Sequence, residues 1–239
     1  MKKLDKSFKY VGEELHLFKD AINWKSYFSN NIRQYVSGEV LEVGAGIGSN
    51  TFFLSRENNR IKSWTIIEPD SNLIPEIEIN TKKIPINNIT IKNGTINCLK
   101  EEKYDCIIYI DVLEHIEKSI LEIELAKSHL KKDGILIILV PAYQFLYNNF
   151  DKSIGHYRRY SKRMLLKEVN SNLTLEKIYY LDSIGFFASL VNKTILKKDL
   201  PSLSNIRFWD QYLVRISILF DRIFFRKFGK SLIGIFRNK

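Results

Sequence analysis

A chain of 239 residues is long enough for one large α/β domain with a sizeable core, and an apolar and aromatic share of 45% excludes an intrinsically disordered protein. Its 37 Lys and Arg against 27 Asp and Glu give a formal charge of +10, which suits nucleic acid, an anionic membrane surface or an acidic substrate without selecting among them. The two cysteines, Cys98 and Cys106, lack the spacing of a metal-ligand or redox pair, so a reduced cytoplasmic protein with no cysteine chemistry is expected.

The opening MKKLDKSFKY is charged and no apolar stretch follows it, so no signal peptide is expected; no apolar run approaches the roughly 18 to 20 residues of a membrane span. Residues 1–38 read as an N-terminal helical cap whose main helix, Ala21 to Val36, carries apolar residues at helical spacing. A strand from Glu39 to Val43 runs into a glycine turn and a short helix, Ser49 to Ser55. Strands follow over SWTIIE, ending at Glu68, over ITIKN, ending at Asn93, and over YDCIIYID, Tyr104 to Asp111. A helix from Lys118 to Leu130, closed by KKDG, leads to the strand ILIILV, which stops at Pro141.

Beyond Pro141 the pattern loosens. Residues 141–172 are predicted to hold a substrate loop and a helix, Ser161 to Val169, followed by the strand LTLEKIYYL. Two aromatic helices, Ser183 to Leu196 and Asn205 to Phe228, break at Pro201 and form a helical lid over 182–228 before a last strand, SLIGIF. Strands alternating with helices, several of them continuous apolar runs, predict an α/β fold. The expected architecture is a Rossmann-like, doubly wound, mostly parallel seven-stranded sheet in a single domain spanning 1–239, with a cofactor-binding core over 39–140 and a helical insertion between the last two strands.

The turn LEVGAGIGSN carries the first functional signal. A dinucleotide turn has the form G-x-G-x-x-G, and here Ser49 stands where the third glycine would be. The spacing of Gly44, Gly46 and Gly48, preceded by Glu42, resembles motif I of the class I S-adenosylmethionine-dependent methyltransferases. The likeness continues through Glu68 at the end of the second strand and through IDVLEHI, with Asp111 at a strand end and His115 just beyond. It implies S-adenosyl-L-methionine as cofactor, held by Glu42, Gly44, Ala45, Gly46, Gly48, Glu68 and Asp111. Glu42 would assist with the methionine amino group, and Glu68 would accept from the ribose hydroxyls. Thr95 stands where many members carry an acidic residue for the adenine amino group.

The second signal is DKSIGHYRRYS, Asp151 to Ser161, a loop at the carboxyl edge of the sheet, where ligands bind in open α/β folds. VPAYQFLYNNFD followed by GHYRRYS, together with FKDAINWKSYF and GKSLIGIF, resembles a small-molecule subgroup found among enzymes of bacterial surface-polysaccharide assembly. That likeness implies methylation of an oxygen or nitrogen on a small molecule, a sugar or a lipid-linked saccharide, without an obligatory metal. His156 is the leading candidate for the base and His115 the second, because imidazole titrates near neutrality. Arg158 and Arg159 would bind an anionic group of the substrate, or else pair with Asp151 to hold the loop shut. Tyr157 and Tyr160 would line the pocket or stack on a sugar.

In the insertion, Arg207, Gln211 and Arg215 share one row and Arg222 and Arg226 a second, amid large aromatics. Such a helix packs on its own domain as a lid or makes a peripheral contact with an anionic membrane through 206–228. Two rival functions remain at this stage. A nucleic-acid methyltransferase suits the charge, but DVLEH replaces the Asn/Asp-Pro-Pro-aromatic turn common where a base amino group is methylated, and no separate RNA-binding module is visible, so no nucleic-acid partner is expected. A non-catalytic protein keeping the fold is disfavoured by the intact glycines and Glu68.

Overall fold

The structure is a computed structural model that describes residues 10, 12, 14–82, 84–169, 173–196 and 201–239. The start of the expected N-terminal cap, the end of the 141–172 segment and residues 197–200 of the insertion lie outside the described residues. Seven strands, β1 Gly38–Val43, β2 Ile61–Glu68, β3 Ile89–Asn93, β4 Tyr104–Ile110, β5 Leu130–Pro141, β6 Leu173–Leu181 and β7 Ser231–Asn238, form one sheet in the order β3-β2-β1-β4-β5-β7-β6. The first five strands are parallel; β7 lies antiparallel between β5 and β6. The expected mostly parallel, doubly wound sheet is therefore what forms.

Strand β4 shows why both faces are covered. Cys106, Ile108 and Ile110 point into one apolar layer and Ile107 and Tyr109 into the other, so a continuous apolar run buries two cores at once. The helix α1 Glu14–Leu17 precedes α2 Ile22–Ile32, which packs Trp24, Phe28 and Ile32 on the first face. The short helices α3 Thr51–Ser55 and α4 Ile74–Thr81 follow β1 and β2; α4 has Pro75 as its second residue, where a missing N–H costs nothing in the first turn. On the second face lies α5 Ser119–Ser128, joined after the short helix α6 Asn149–Ser153 by α7 Lys162–Val169.

Several boundaries differ from expectation: α2 stops at Ile32, four residues short of Val36, and passes into a 3-10 turn over Arg33–Tyr35, and α3 starts at Thr51 in place of Ser49. KKDG does not close a helix: α5 stops at Ser128 and β5 already begins at Leu130, with residues 131–134 bulged out between the pairs Tyr104–Leu130 and Cys106–Ile135. Gly134 makes this loop compact, because a Cβ there would stand 2.9 Å from the Lys131 carbonyl oxygen. In the insertion, α8 Ser183–Val191 runs into a π-turn over Asn192–Leu196. After α9 Leu203–Phe208 and a second π-turn, Trp209–Leu213, comes α10 Val214–Ile223. The last helix ends five residues short of Phe228, since Phe225 and Arg226 take positive φ and turn the chain back towards β7.

Candidate active site

The chain changes direction between β1 and β4: β2 and β3 extend the sheet on one side of this pair, and β5 on the other. A crevice opens at the carboxyl ends of two such strands, and there a cavity of ≈ 200 Å³ is lined by Gly44, Ala45 and Gly46 after β1 and by Asp111, Glu114 and His115 after β4. The loop after β5 supplies Asp151, His156 and Arg159; α2 supplies Trp24 and Lys25, the insertion Trp209, and the start of β7 Lys230. Tyr10, Glu14 and Leu15 also line it. The Tyr10 N–H donates to Asp70 Oδ2 at 2.8 Å, and its hydroxyl bonds the Glu14 carboxylate. Ligand pockets generally run to roughly 300–1,000 Å³, and these three residues cover the glycine-turn end of a smaller space.

All three turn glycines have positive φ, which their sequence position demands: the chain must reverse tightly from β1 into α3. At Gly46 a Cβ would meet Leu15 Cδ2 at 2.9 Å, so the turn is a cradle that a side chain would fill. Behind it, Glu68 Oε2 accepts from the Gly46 N–H at 2.8 Å and Oε1 from the Asp70 N–H at 3.0 Å; burial pushes this carboxyl up to about 7 against both bonds. Glu42 Oε2 accepts from Thr51 Oγ1 at 2.7 Å and Trp64 Nε1 at 2.9 Å, and full burial raises it to about 7 as well. On the cavity side of the turn, Lys25 Nζ donates to Ser49 Oγ at 2.9 Å and to the Lys19 carbonyl at 2.7 Å. Burial lowers this ammonium to about 8, with Asp20 and Asp210 pulling the other way.

The far wall is a buried polar cluster. Arg159 Nε donates to both oxygens of Asp151, at 2.9 and 3.0 Å, and Asp151 Oδ1 also meets His156 Nδ1 at 2.9 Å. Burial favours the neutral Asp151 carboxyl, but the His156 and Arg159 contacts outweigh it and hold the group below its ordinary range. His156 Nε2 then faces Glu114 Oε1 at 3.9 Å, and the His115 and His156 rings meet edge to face with centroids 4.5 Å apart. Burial, with His156 adding to it, drives His115 down to about 3, so it is a neutral imidazole. Asp111, with φ +54°, is solvent-exposed inside the cavity yet enclosed by protein on a wider scale, and that enclosure pushes its carboxyl up to about 7 while Lys230 and Arg159 oppose the rise.

The profile of the family described as methyltransferase domain matches residues 15–192. The chain belongs to the methyltransferase domain family. No curated protein matches this methyltransferase at the sequence level. Among solved structures, the N-methyltransferase NodS from Bradyrhizobium japonicum, in complex with S-adenosyl-l-homocysteine, superposes with a TM-score of 0.59 at 15% identity, over 92% of this chain and 88% of its own. Coclaurine N-methyltransferase bound to N-methylheliamine and S-adenosylhomocysteine gives 0.61 at 15% identity over 98% and 76%, and the cyclopropane synthase MmaA2 from Mycobacterium tuberculosis gives 0.58 at 13% over 90% and 83%. At such identities the likeness is one of fold. The protein is an S-adenosylmethionine-dependent methyltransferase, and the cradle, Glu68 and Lys25 are groups that fit that cofactor.

The expected site residues separate into three groups. Gly44, Ala45, Gly46, Asp111, His115, His156 and Arg159 share the cavity wall of the methyltransferase. Glu42, Gly48 and Glu68 sit in the layer behind the turn, while Thr95 is exposed and accepts from its neighbour Asn97. The remaining three expected substrate residues are off the cavity. Tyr160 is a core residue, fully buried with its N–H on the Pro141 carbonyl. Arg158 fastens the loop to the start of α5 through Ser119 Oγ and the Glu117 carbonyl, both at 2.7 Å, and Tyr157 lies 54% exposed beneath its guanidinium. Sequence reasoning missed Lys25, Glu114, Trp209 and Lys230. Glu114 alone had a local signal, its place directly before His115; the others arrive from 86 or more residues away from the 111–115 turn, and only the fold brings them in.

Proposed function

We propose that this methyltransferase moves the sulfonium methyl group of S-adenosylmethionine to an oxygen or nitrogen of a sugar or lipid-linked saccharide. One observation carries the reading: a single cavity joins the glycine cradle, a histidine pair and an aromatic wall of Phe18, Trp24 and Trp209, whose rings stand 5.8 Å apart across Trp209. Such a wall suits the C–H face of a sugar ring. Tyr157 and Tyr160 do not take that part.

When bound, the cofactor supplies an already activated methyl group, which leaves the protein the tasks of aligning the acceptor and receiving its proton. Lys25 would hold the cofactor's carboxylate, and Glu68, which fixes the glycine turn through the Gly46 N–H, would support its ribose. Asp151, held in its ionised form, can only accept, so the proton it shares with His156 resides on Nδ1 and the Nε2 lone pair points to the cavity. His115, neutral across the physiological range, already meets the Tyr10 hydroxyl through Nε2 at 3.5 Å and stands second to His156. The buried Nη1 of Arg159, without a hydrogen-bond partner among the described residues, and the Lys230 ammonium stacked 4.9 Å over Trp209 would receive an anionic group such as a phosphate.

A lipid-linked acceptor is favoured by the outer face of the same insertion. Phe208, Tyr212, Ile216, Leu219 and Ile223 form an exposed stripe at helical spacing, flanked by exposed Arg207, Arg215 and Arg222. No helix among the described residues is long and apolar enough to cross a membrane.

The deciding experiment incubates the enzyme with methyl-labelled S-adenosylmethionine and an extract of the source cells, then separates lipid, saccharide, nucleic-acid and protein fractions. Enzyme-dependent label in lipid or saccharide supports the reading; label in RNA replaces it. His156→Ala is expected to slow turnover while S-adenosylhomocysteine binds as before, and unchanged turnover removes His156 from the mechanism.

A further inference from the structure

We infer that Glu114, His115 and His156 form a binding site for a divalent first-row transition-metal ion at the inner wall of the cavity. The inference starts from Glu114. Its side chain is 1% exposed, it faces the cavity, and neither carboxylate oxygen has a hydrogen-bond partner among the described residues. A buried carboxylate with both oxygens orphaned is rare in folded proteins, because nothing replaces the water it has lost. A bound cation would replace it.

The surroundings supply the other ligands. The 3-10 turn Leu113–His115 places His115 beside Glu114, and the loop after β5 brings His156 from 41 residues further along the chain to within 3.9 Å. One donor atom from each of the three lies within 4.8 Å of the other two. Metal bonds to imidazole nitrogen and carboxylate oxygen of about 2.0–2.2 Å set ligand atoms roughly 3–4 Å apart, so the Glu114–His156 spacing already fits and small side-chain rotations close the set. Asp151 bonds His156 Nδ1 and so fixes the ring with Nε2 turned to the site, the arrangement in which an outer carboxylate orients a metal-bound imidazole.

Two imidazoles and one carboxylate favour zinc, iron, cobalt or manganese over magnesium or calcium, which prefer all-oxygen shells. Asp111 and Asp151 add favourable charge; Arg159 and Lys230 oppose it. Three protein ligands leave coordination positions open to the cavity, where an acceptor oxygen would complete the shell. The site would thus bind and orient the acceptor, contrary to the metal-free reaction expected from sequence, and in the metal-bound form the His156 and His115 nitrogens would be ligands in place of proton acceptors. The inference extends the methyltransferase reading but does not rest on it, since the ligand geometry is the same whatever the acceptor.

The test uses the full-length protein, stripped with chelator and titrated with Co²⁺ while the visible d–d absorption is followed; S-adenosylhomocysteine binding is measured on the same samples. The expected result is saturable binding of one Co²⁺ per chain, weakened about tenfold or more in Glu114→Gln and in His156→Ala, with S-adenosylhomocysteine affinity retained in both. Absence of saturable binding in the wild type overturns the inference, as does unchanged Co²⁺ affinity in both variants. Retained cofactor-product binding without metal binding defeats the metal site alone; metal binding without cofactor-product binding would count against the methyltransferase reading instead.

Discussion

Lys25 is a buried ammonium whose hydrogen-bond partners among the described residues are one hydroxyl and one carbonyl, with no carboxylate bonded to it there. Asp20 and Asp210 act on it only from a distance, and in the proposed reading the carboxylate of the cofactor's methionine would be its direct partner. A hydrogen bond to a charged group contributes about 1.5–3 kcal/mol, so Lys25→Met is expected to weaken S-adenosylhomocysteine binding by roughly tenfold or more. Calorimetry checks this, and an unchanged affinity would mean that the cofactor's carboxylate lies elsewhere. Glu42 makes a different prediction, one of stability. Its folded-state carboxyl is raised by burial from 4.5 to about 7, so between those values the folded chain keeps a proton that the unfolded chain has released. The stability this gives is complete below about pH 4.5 and disappears as pH rises through 7. Two and a half units at 1.36 kcal/mol each amount to roughly 3 kcal/mol. Glu42→Gln keeps an oxygen for Thr51 and Trp64 and removes the titration. Urea unfolding at pH 4.5 and pH 8 should therefore show the variant gaining roughly 3 kcal/mol on the wild type between the two. Glu14, Glu68 and Asp111 shift in the same direction, and comparing the variant with the wild type isolates Glu42 from them.

At the level of elements, the insertion is held by polar contacts. Ile206, Asp210, Val214, Ser217 and Asp221 form the buried row. Asp210 takes the N–H groups of Asn23 and Trp24 at the start of α2, and Asp221 takes the Tyr27 hydroxyl and the N–H groups of Asp182 and Ser183. Asp221→Ala would strip three buried donors of their acceptor at about 1–3 kcal/mol each, and a loss of at least about 3 kcal/mol is expected in urea unfolding. A loss below 1 kcal/mol would mean that water replaces the carboxylate. Such a row could not be read from the sequence, because Asp221 and Tyr27 are 194 positions apart and a helix carrying Phe208, Phe220 and Phe224 gives no sign that two of its aspartates are what it buries. The strands were legible for the opposite reason: a run such as CIIYI needs only its own sequence to show that it must be buried on both faces. The site divides in the same way. The glycine turn, Asp111 and His115 belong to short local patterns, whereas Tyr160 and Arg158 looked like ligand residues until the fold assigned one to the core and the other to fastening a loop.

For the whole molecule, the positive charge, the cavity and the exposed aromatic stripe meet on one helical segment. The π-turn at Trp209–Leu213 adds a residue to the helical repeat, and across this boundary Trp209 faces the cavity while Phe208, 56% exposed, faces outward beside Tyr212, their rings 5.3 Å apart. A surface that seats Phe208, Tyr212, Leu219 and Ile223 would therefore meet the opposite side of the helical segment whose Trp209 lines the cavity, as the proposed lipid-linked acceptor would need. Exposed Arg207, Arg215 and Arg222 flank the stripe and suit anionic head groups. Vesicles containing anionic lipid should then sediment with the enzyme, less so as salt is raised, because charge–charge attraction is screened over about 10 Å at 0.1 M ionic strength. Replacing Phe208, Tyr212, Leu219 and Ile223 together by Ser should abolish co-sedimentation and leave S-adenosylhomocysteine binding intact, since these side chains lie on the face away from the cradle. Equal sedimentation with neutral and anionic vesicles would remove the arginines from the interaction, and no sedimentation with either would leave the stripe without a membrane role and favour a water-soluble sugar as the acceptor.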